Sequence, residues 1–190
     1  MHARGNFRGK RVIETVVDLP FAVSPVVVGV SLILLWGIDG WFGALADHGI
    51  RVIFSLPGMV IATIFVTLPF VVREVEPVLH EIGDEQEQAA VTLGASWRQT
   101  FWRITLPAIR WGLLYGVVLT VARSLGEFGA LIVVAGGVSG ESQTLTLLVH
   151  ARYIDDHNTF GAYAAATVLM GLALLTLFLM TLLNKKREPV

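Results

Sequence analysis

Cysteine is absent from the 190-residue chain, which excludes a disulfide framework, a thiolate metal site and a cysteine nucleophile. Charge is scarce: Asp, Glu, Lys and Arg make up 15% of the residues, against about a quarter in an average soluble protein. A basic excess is missing too. The formal net charge is −1, so no nucleic acid is expected among the partners. No G-x-x-x-x-G-K-[ST] phosphate loop occurs; the nearest stretch, Gly140-Glu141-Ser142, carries an acidic residue where the lysine belongs, so the chain is expected to hold no ATP and no cofactor of its own. A secretory signal would put an apolar run directly behind its basic residues. Here residues 1–11 are basic and polar, and 12–18 are still mixed. The opening reads as a cytoplasmic loop rather than a natural start.

What the chain does hold is apolar: 54% of its residues are hydrophobic and its mean hydropathy is +0.68. Four segments are long enough to span a bilayer: 17–38, 52–72, 111–134 and 160–183. The uncharged run 52–72 would measure roughly 31 Å as a helix, which matches a bilayer core. Basic residues set the orientation. With the N-terminal strip inside, Arg4, Arg8, Lys10, Arg11, Arg73, Arg98, Arg103, Arg110, Lys185, Lys186 and Arg187 share one side, against Arg51 and Arg152 on the other. The positive-inside rule then makes both termini cytoplasmic. The fold class is an all-α polytopic membrane helical bundle, with a cytoplasmic loop at 73–107 and an outer loop at 136–158. Pro20, Pro25, Pro57, Gly58 and Pro69 fall within the spans, where neighbouring helices satisfy freed backbone groups. Gly112 and Gly116 form a G-x-x-x-G, first of all a close-packing signal.

The cytoplasmic loop is organised. Pro77 punctuates its start. Asp84 and Glu87 mark a helix N-terminus, and Gly94 is the residue expected where that helix ends in a left-handed turn. Ser96 with Gln99 is a capping box for a second helix, in which Trp97, Phe101 and Ile104 share one face. Pro107 is expected to close it. Capping logic alone leaves two options open, a hairpin resting on the membrane or a projection with a partner.

The wording of this loop, Gln88-Ala89-Ala90-x-x-x-Gly94 followed after nine residues by Ile104-x-Leu106-Pro107, resembles the EAA loop of type I ABC importer permeases. The family's usual Glu is Gln88 here, with Glu87 just before it. Asp18-Leu19-Pro20-Phe21-Ala22-Val23-Ser24-Pro25, Leu56-Pro57-Gly58-Met59, Arg110-Trp111-Gly112-Leu113-Leu114-Tyr115-Gly116 and Gly126-Glu127-Phe128-Gly129-Ala130 are similar to the sulfate/thiosulfate branch, and to its W-type rather than its T-type permease. That resemblance implies a six-span fold of which this chain lacks the first two spans. It further implies a homologous T-type permease subunit, an ABC ATPase dimer that binds the ATP, and an extracytoplasmic sulfate-binding protein. The residues it assigns to ATPase coupling are Glu87, Gln88, Ala89, Ala90, Gly94, Ala95, Ser96, Phe101, Ile104 and Pro107. It also implies a place in the bacterial plasma (inner) membrane, in contact with lipid.

Arg123 and Glu127 are the ionisable residues within an expected span. Charges there cost on the order of 2.5–3.5 kcal/mol at mid-bilayer, so they face protein or water. At i, i+4 they would share one helix face. Two readings stand: a gate or pathway element offering positive charge to a dianion, and a structural ion pair. Arg123 lies 13 positions past Arg110, roughly 20 Å along a helix, which would put it beyond the midplane. In the outer loop, Leu145, Leu147 and Leu148 suit a short interfacial helix, while 136–142 reads as a turn. His150, Asp155, Asp156 and His157 match no metal-ligand spacing and read as solvated. The competing functions are a permease for molybdate or another oxyanion, an intramembrane hydrolase for which no nucleophile–base set is visible, and a non-transporting membrane fragment.

Overall fold

The computed structural model describes residues 9–49, 51–136 and 142–185; Met1, Arg4, Arg8, Lys186, Arg187, Val190 and most of the expected turn at 136–142 lie outside the described residues. Every regular element among them is helical: α1 (Lys10–Ala22), α2 (Pro25–Trp36), α3 (Ala44–Asp47), α4 (Leu56–Ile82), α5 (Glu85–Thr92), α6 (Trp97–Thr100), a π turn (Phe101–Thr105), α7 (Leu106–Leu125), α8 (Leu131–Val134), α9 (Leu145–His150), a second π turn (Ala151–Asp155) and α10 (Thr159–Lys185). Three helices are long and apolar enough to cross a membrane, and a fourth crossing needs a bent pair to count as one.

That bent pair is the apolar run 17–38, which is not one helix. α1 and α2 meet at 112° across Val23 and Ser24. Pro25 stands at the first turn of α2, where its missing N–H costs nothing, and it drives the residue before it out of the helical region. Ser24 accordingly has ψ 135°. α1 is held on α4 by Arg73, whose Nη2 lies 2.9 Å from Asp18 Oδ2 and whose Nε donates to Asp18 Oδ1 at 3.2 Å. The Arg73 guanidinium also covers the Phe21 ring, which packs edge-on against Phe70.

The second expected span begins later and runs further. α4 starts at Leu56 with Pro57 in its first turn and continues for 27 residues, through both Pro69 and Pro77. Pro77 therefore does not end it. The proline costs one hydrogen bond to the carbonyl four residues back, but it sits on an exposed face where water can take that carbonyl. The loop expected from residue 73 is helical for its first ten positions.

Pro107 does not stop the chain either. α6, the π turn and α7 form one continuous helix, Trp97–Leu125. A proline inside an α-helix has no N–H for the i−4 carbonyl and clashes with it. Here the turn before it is widened to i→i−5 bonding, with Leu106 N–H donating to the Phe101 carbonyl, and the ring follows without ending the helix. α4 packs along α7, and Gly116 makes their close approach: a Cβ there would meet Val71 Cα and Glu74 Cβ at 3.3 Å. Gly112 is buried too.

The third expected span, 111–134, is broken. Its helix ends at Leu125, and after five intervening residues the short α8 begins at Leu131. The main apolar core lies here, among Val28 of α2, Ala62 and Val66 of α4, Ala130, Leu131 and Val134 at α8, and Leu147 of α9. α2 approaches α8 so closely that a Cβ on Gly29 would stand 2.8 Å from the Ala130 carbonyl oxygen. α9 is the short helix expected around Leu145, with the Thr144 hydroxyl accepting from Leu147 N–H. α10 closes the chain against α7 and α9.

Candidate functional site: the hairpin at Gly94 and the buried carboxylate at Glu127

The chain leaves α4 through Gly83 and enters α5, whose first turn carries Glu85 and Glu87, favourable charges at a helix N-terminus. Asp84 precedes it without capping a backbone N–H; its carboxylate accepts from Gln88 Nε2 at 2.6 Å instead. Gln88 thus closes a local i, i−4 contact on an exposed surface. Ala89 is exposed and Ala90 half-buried.

α5 ends as a Schellman motif. Ala95 N–H donates to the Ala90 carbonyl and Gly94 N–H to the Val91 carbonyl, both at 3.0 Å, which satisfies carbonyls a helix end would otherwise leave open. Gly94 has φ +83°, the left-handed region where a Cβ is penalised. Nothing lies within 4 Å of the place a Cβ would occupy, so a side chain there meets strain and no neighbour. Two residues on, the capping box is complete: Ser96 N–H donates to Gln99 Oε1 at 2.8 Å, and Gln99 N–H to Ser96 Oγ at 3.4 Å. Leu93 at the tip is 88% exposed. A groove of about 320 Å³ runs beside it, lined by Leu93, Gly94, Ala95, Gln99, Thr100, Arg103 and Ile104. Of the expected apolar face, Phe101 and Ile104 are half-buried while Trp97 is exposed, its ring edge-on to Phe101.

Glu87 turns the other way. Its Oε1 accepts from the Thr105 hydroxyl at 2.6 Å, across 18 residues, and Thr105 is buried. Nothing in the spacing of the sequence pointed to Thr105.

Arg123 and Glu127 are brought together, but not on one helix face. Glu127 stands beyond the end of α7, and its side chain is 2% exposed. Its Oε1 accepts from Ala130 N–H at 3.0 Å, the geometry of a cap on the turn that leads into α8. Its Oε2 takes Arg123 Nη1 at 3.4 Å, and its backbone carbonyl accepts from Thr146 Oγ1 at 2.9 Å. Arg123 is partly open, 38% exposed, with its guanidinium 6.0 Å from the centre of the Phe70 ring. Gly116 meets α4 at Val71 and Glu74, beside Arg73. In the outer loop, Arg152 pairs with Asp156 at 3.7 Å and His157 Nδ1 faces the Asp155 carbonyl at 3.3 Å.

The molecule thus carries a capped hairpin beside a helical bundle, and the apolar run 111–134 parts over a buried carboxylate. The family model described as "Binding-protein-dependent transport system inner membrane component" matches residues 1–189. The chain belongs to that family, as a multi-pass inner-membrane component whose described residues form helices and no other regular element. Among individual proteins it is similar to the sulfate transport system permease protein CysW of Synechocystis sp., 55% identical over 185 residues, covering 97% of this chain and 67% of that one. The CysW of Escherichia coli is 50% identical over 186 residues, covering 97% and 64%. The paralogous sulfate permease protein CysT of Salmonella typhimurium is 38% identical over 184 residues, covering 96% and 66%. The chain thus spans about two thirds of the length of the curated relatives it matches.

Proposed function

We propose that this chain is the W-type translocation-pathway subunit of an ATP-driven sulfate or thiosulfate importer. It pairs with a T-type permease, receives the oxyanion from an extracytoplasmic binding protein, and is driven by an ATPase dimer that docks on the hairpin 84–107. The observation that carries the coupling role is the Gly94 tip: a rigid, doubly capped turn with an exposed leucine and an open groove, on a helix continuous with a membrane-spanning one. The sulfate assignment rests on the printed names of the relatives, both W-type and T-type.

Both termini of the chain and the hairpin face the cytoplasm in this reading, and Arg123 supplies positive charge near the path while Glu127 holds its position. The test is uptake of radiolabelled sulfate in a bacterium deleted for its W-type permease. One strain carries this chain alone and another carries it behind the N-terminal third of the Synechocystis relative. Uptake in either, lost with Gly94→Val while membrane insertion persists, supports the function and the coupling role. ATPase capture without uptake in both strains identifies a membrane fragment that docks but does not transport. Uptake of molybdate in preference to sulfate reassigns the cargo. The chain has no cysteine, so Ser96→Cys and Asp156→Cys report orientation directly: an impermeant thiol reagent added to intact cells should reach the second and not the first.

A further inference from the structure

The hydrogen bond between Glu87 and Thr105 does more than close a loop. On one side stands α5, locked to the hairpin tip by the Schellman bonds at Ala95 and Gly94 and by the Ser96–Gln99 box. On the other stands the π turn Phe101–Thr105, the one segment of the helix Trp97–Leu125 that departs from α geometry. The two meet in a three-way junction with the end of α4: Leu79, Ile82, Gln86, Glu87, Ile104 and Thr105 leave a crevice of only about 10 Å³. That is no more than one water needs. A carboxylate accepting a hydrogen bond from a hydroxyl, with the two oxygens 2.6 Å apart, forms a strong, charge-assisted bond in such surroundings.

We infer that Glu87 and Thr105 form a latch that transmits movement of the Gly94 tip into the π turn at the root of the spanning helix. The inference rests on the coupling role proposed above. The latch adds a directional polar tie to the packing that α5 already makes against α6 and the π turn. With it, a push on the tip moves α5, the tip and residue 105 as one body. A π turn is a place where a helix can change register by one residue, and Pro107, having no N–H, holds no hydrogen bond that such a change would break. Glu87 and Thr105 are positioning residues. Neither touches the transported anion.

The experiment compares the parent transporter with Thr105→Val and Thr105→Ser, each assembled with its permease and ATPase partners in proteoliposomes. Valine keeps the shape and removes the hydroxyl; serine keeps the hydroxyl. Thr105→Val should retain the ATPase and hydrolyse ATP, while sulfate moved per ATP falls about tenfold, within the usual range of a coupling between sites. Thr105→Ser should restore the parent ratio, which a packing role for the threonine methyl would not explain. Should Thr105→Val fail to assemble, Glu87→Leu breaks the same bond from its other side and must show the same loss of sulfate per ATP. An unchanged ratio in a transporting complex overturns the latch. Independently of transport, amide hydrogen exchange over Glu85–Thr92 should quicken in Thr105→Val and not in Thr105→Ser. Unchanged exchange also overturns the latch, whereas quickened exchange in Thr105→Val, with a parent that moves no sulfate, counts against the proposed function alone.

Discussion

On either side of the helix Trp97–Leu125 a side chain accepts a hydrogen bond from a backbone N–H three residues on: Ser96 Oγ from Gln99, and Glu127 Oε1 from Ala130. The geometry is the same and the surroundings are opposite. Ser96 is exposed, so water can replace its bond. Glu127 is buried, so nothing can. An exposed cap contributes about 1 kcal/mol, whereas a buried donor or charge left without its partner costs several. One motif therefore does two jobs: at the hairpin it sharpens a turn that a partner could grip, and at the break it fixes where two helices part.

The comparison breaks first at Glu127. Glu127→Ala strands the Ala130 N–H and removes the partner of Arg123, and should lower stability by on the order of 3 kcal/mol. Thermal unfolding in detergent would register it. Glu127→Gln keeps an acceptor for Ala130 and should lose less, and pairing it with Arg123→Gln should recover part of that loss if the two act structurally. A smaller effect belongs to Gly29, where a Cβ would press on the Ala130 carbonyl at 2.8 Å. Gly29→Val should cost about 1–3 kcal/mol by overpacking. Equal melting of Gly29→Val and the parent would mean that α2 is free to move away from α8. The smallest belongs to the exposed end. Ser96→Ala should cost about 1 kcal/mol, visible as faster hydrogen exchange over Trp97–Thr100, with the rest of the helix unaffected. If it unfolded the chain as Glu127→Ala does, burial would not be what separates the two caps.

The same contrast explains what could be read before the fold was known. At the hairpin every signal is local: Ser96 and Gln99 are three apart, and Gly94 sits where a helix must end, so the turn was legible almost residue by residue. At the break, the run from Trp111 to Val134 stays apolar, and composition does not distinguish one long helix from two short ones joined by a turn. Pro20 and Pro25 flank the bend at Val23 and Ser24, but membrane helices tolerate proline, so prolines in the run do not by themselves distinguish a bend from a continuous span. Pro77 and Pro107 erred the other way, read as stops where the helices continue. The π turn has no sequence period of its own, and Thr105 has no meaning until Glu87 is seen beside it.

The uneven burial of the long helices has a consequence for how the chain is made. Only 6% of the most apolar stretch of α10 is covered by the rest of the chain, against 28% for α4. α10, long and apolar enough to cross a membrane by itself, needs little from the rest of the chain to do so. α2, at 12 residues, measures about 18 Å, little more than half the hydrocarbon thickness, and reaches no such state alone. Its N-terminal turn finds a place only once Gly129 and Ala130 exist to receive Pro25 and Gly29, a hundred residues further along the message. Of these two helices, the one made first, α2, is thus the later to settle, while α10 is ready at once.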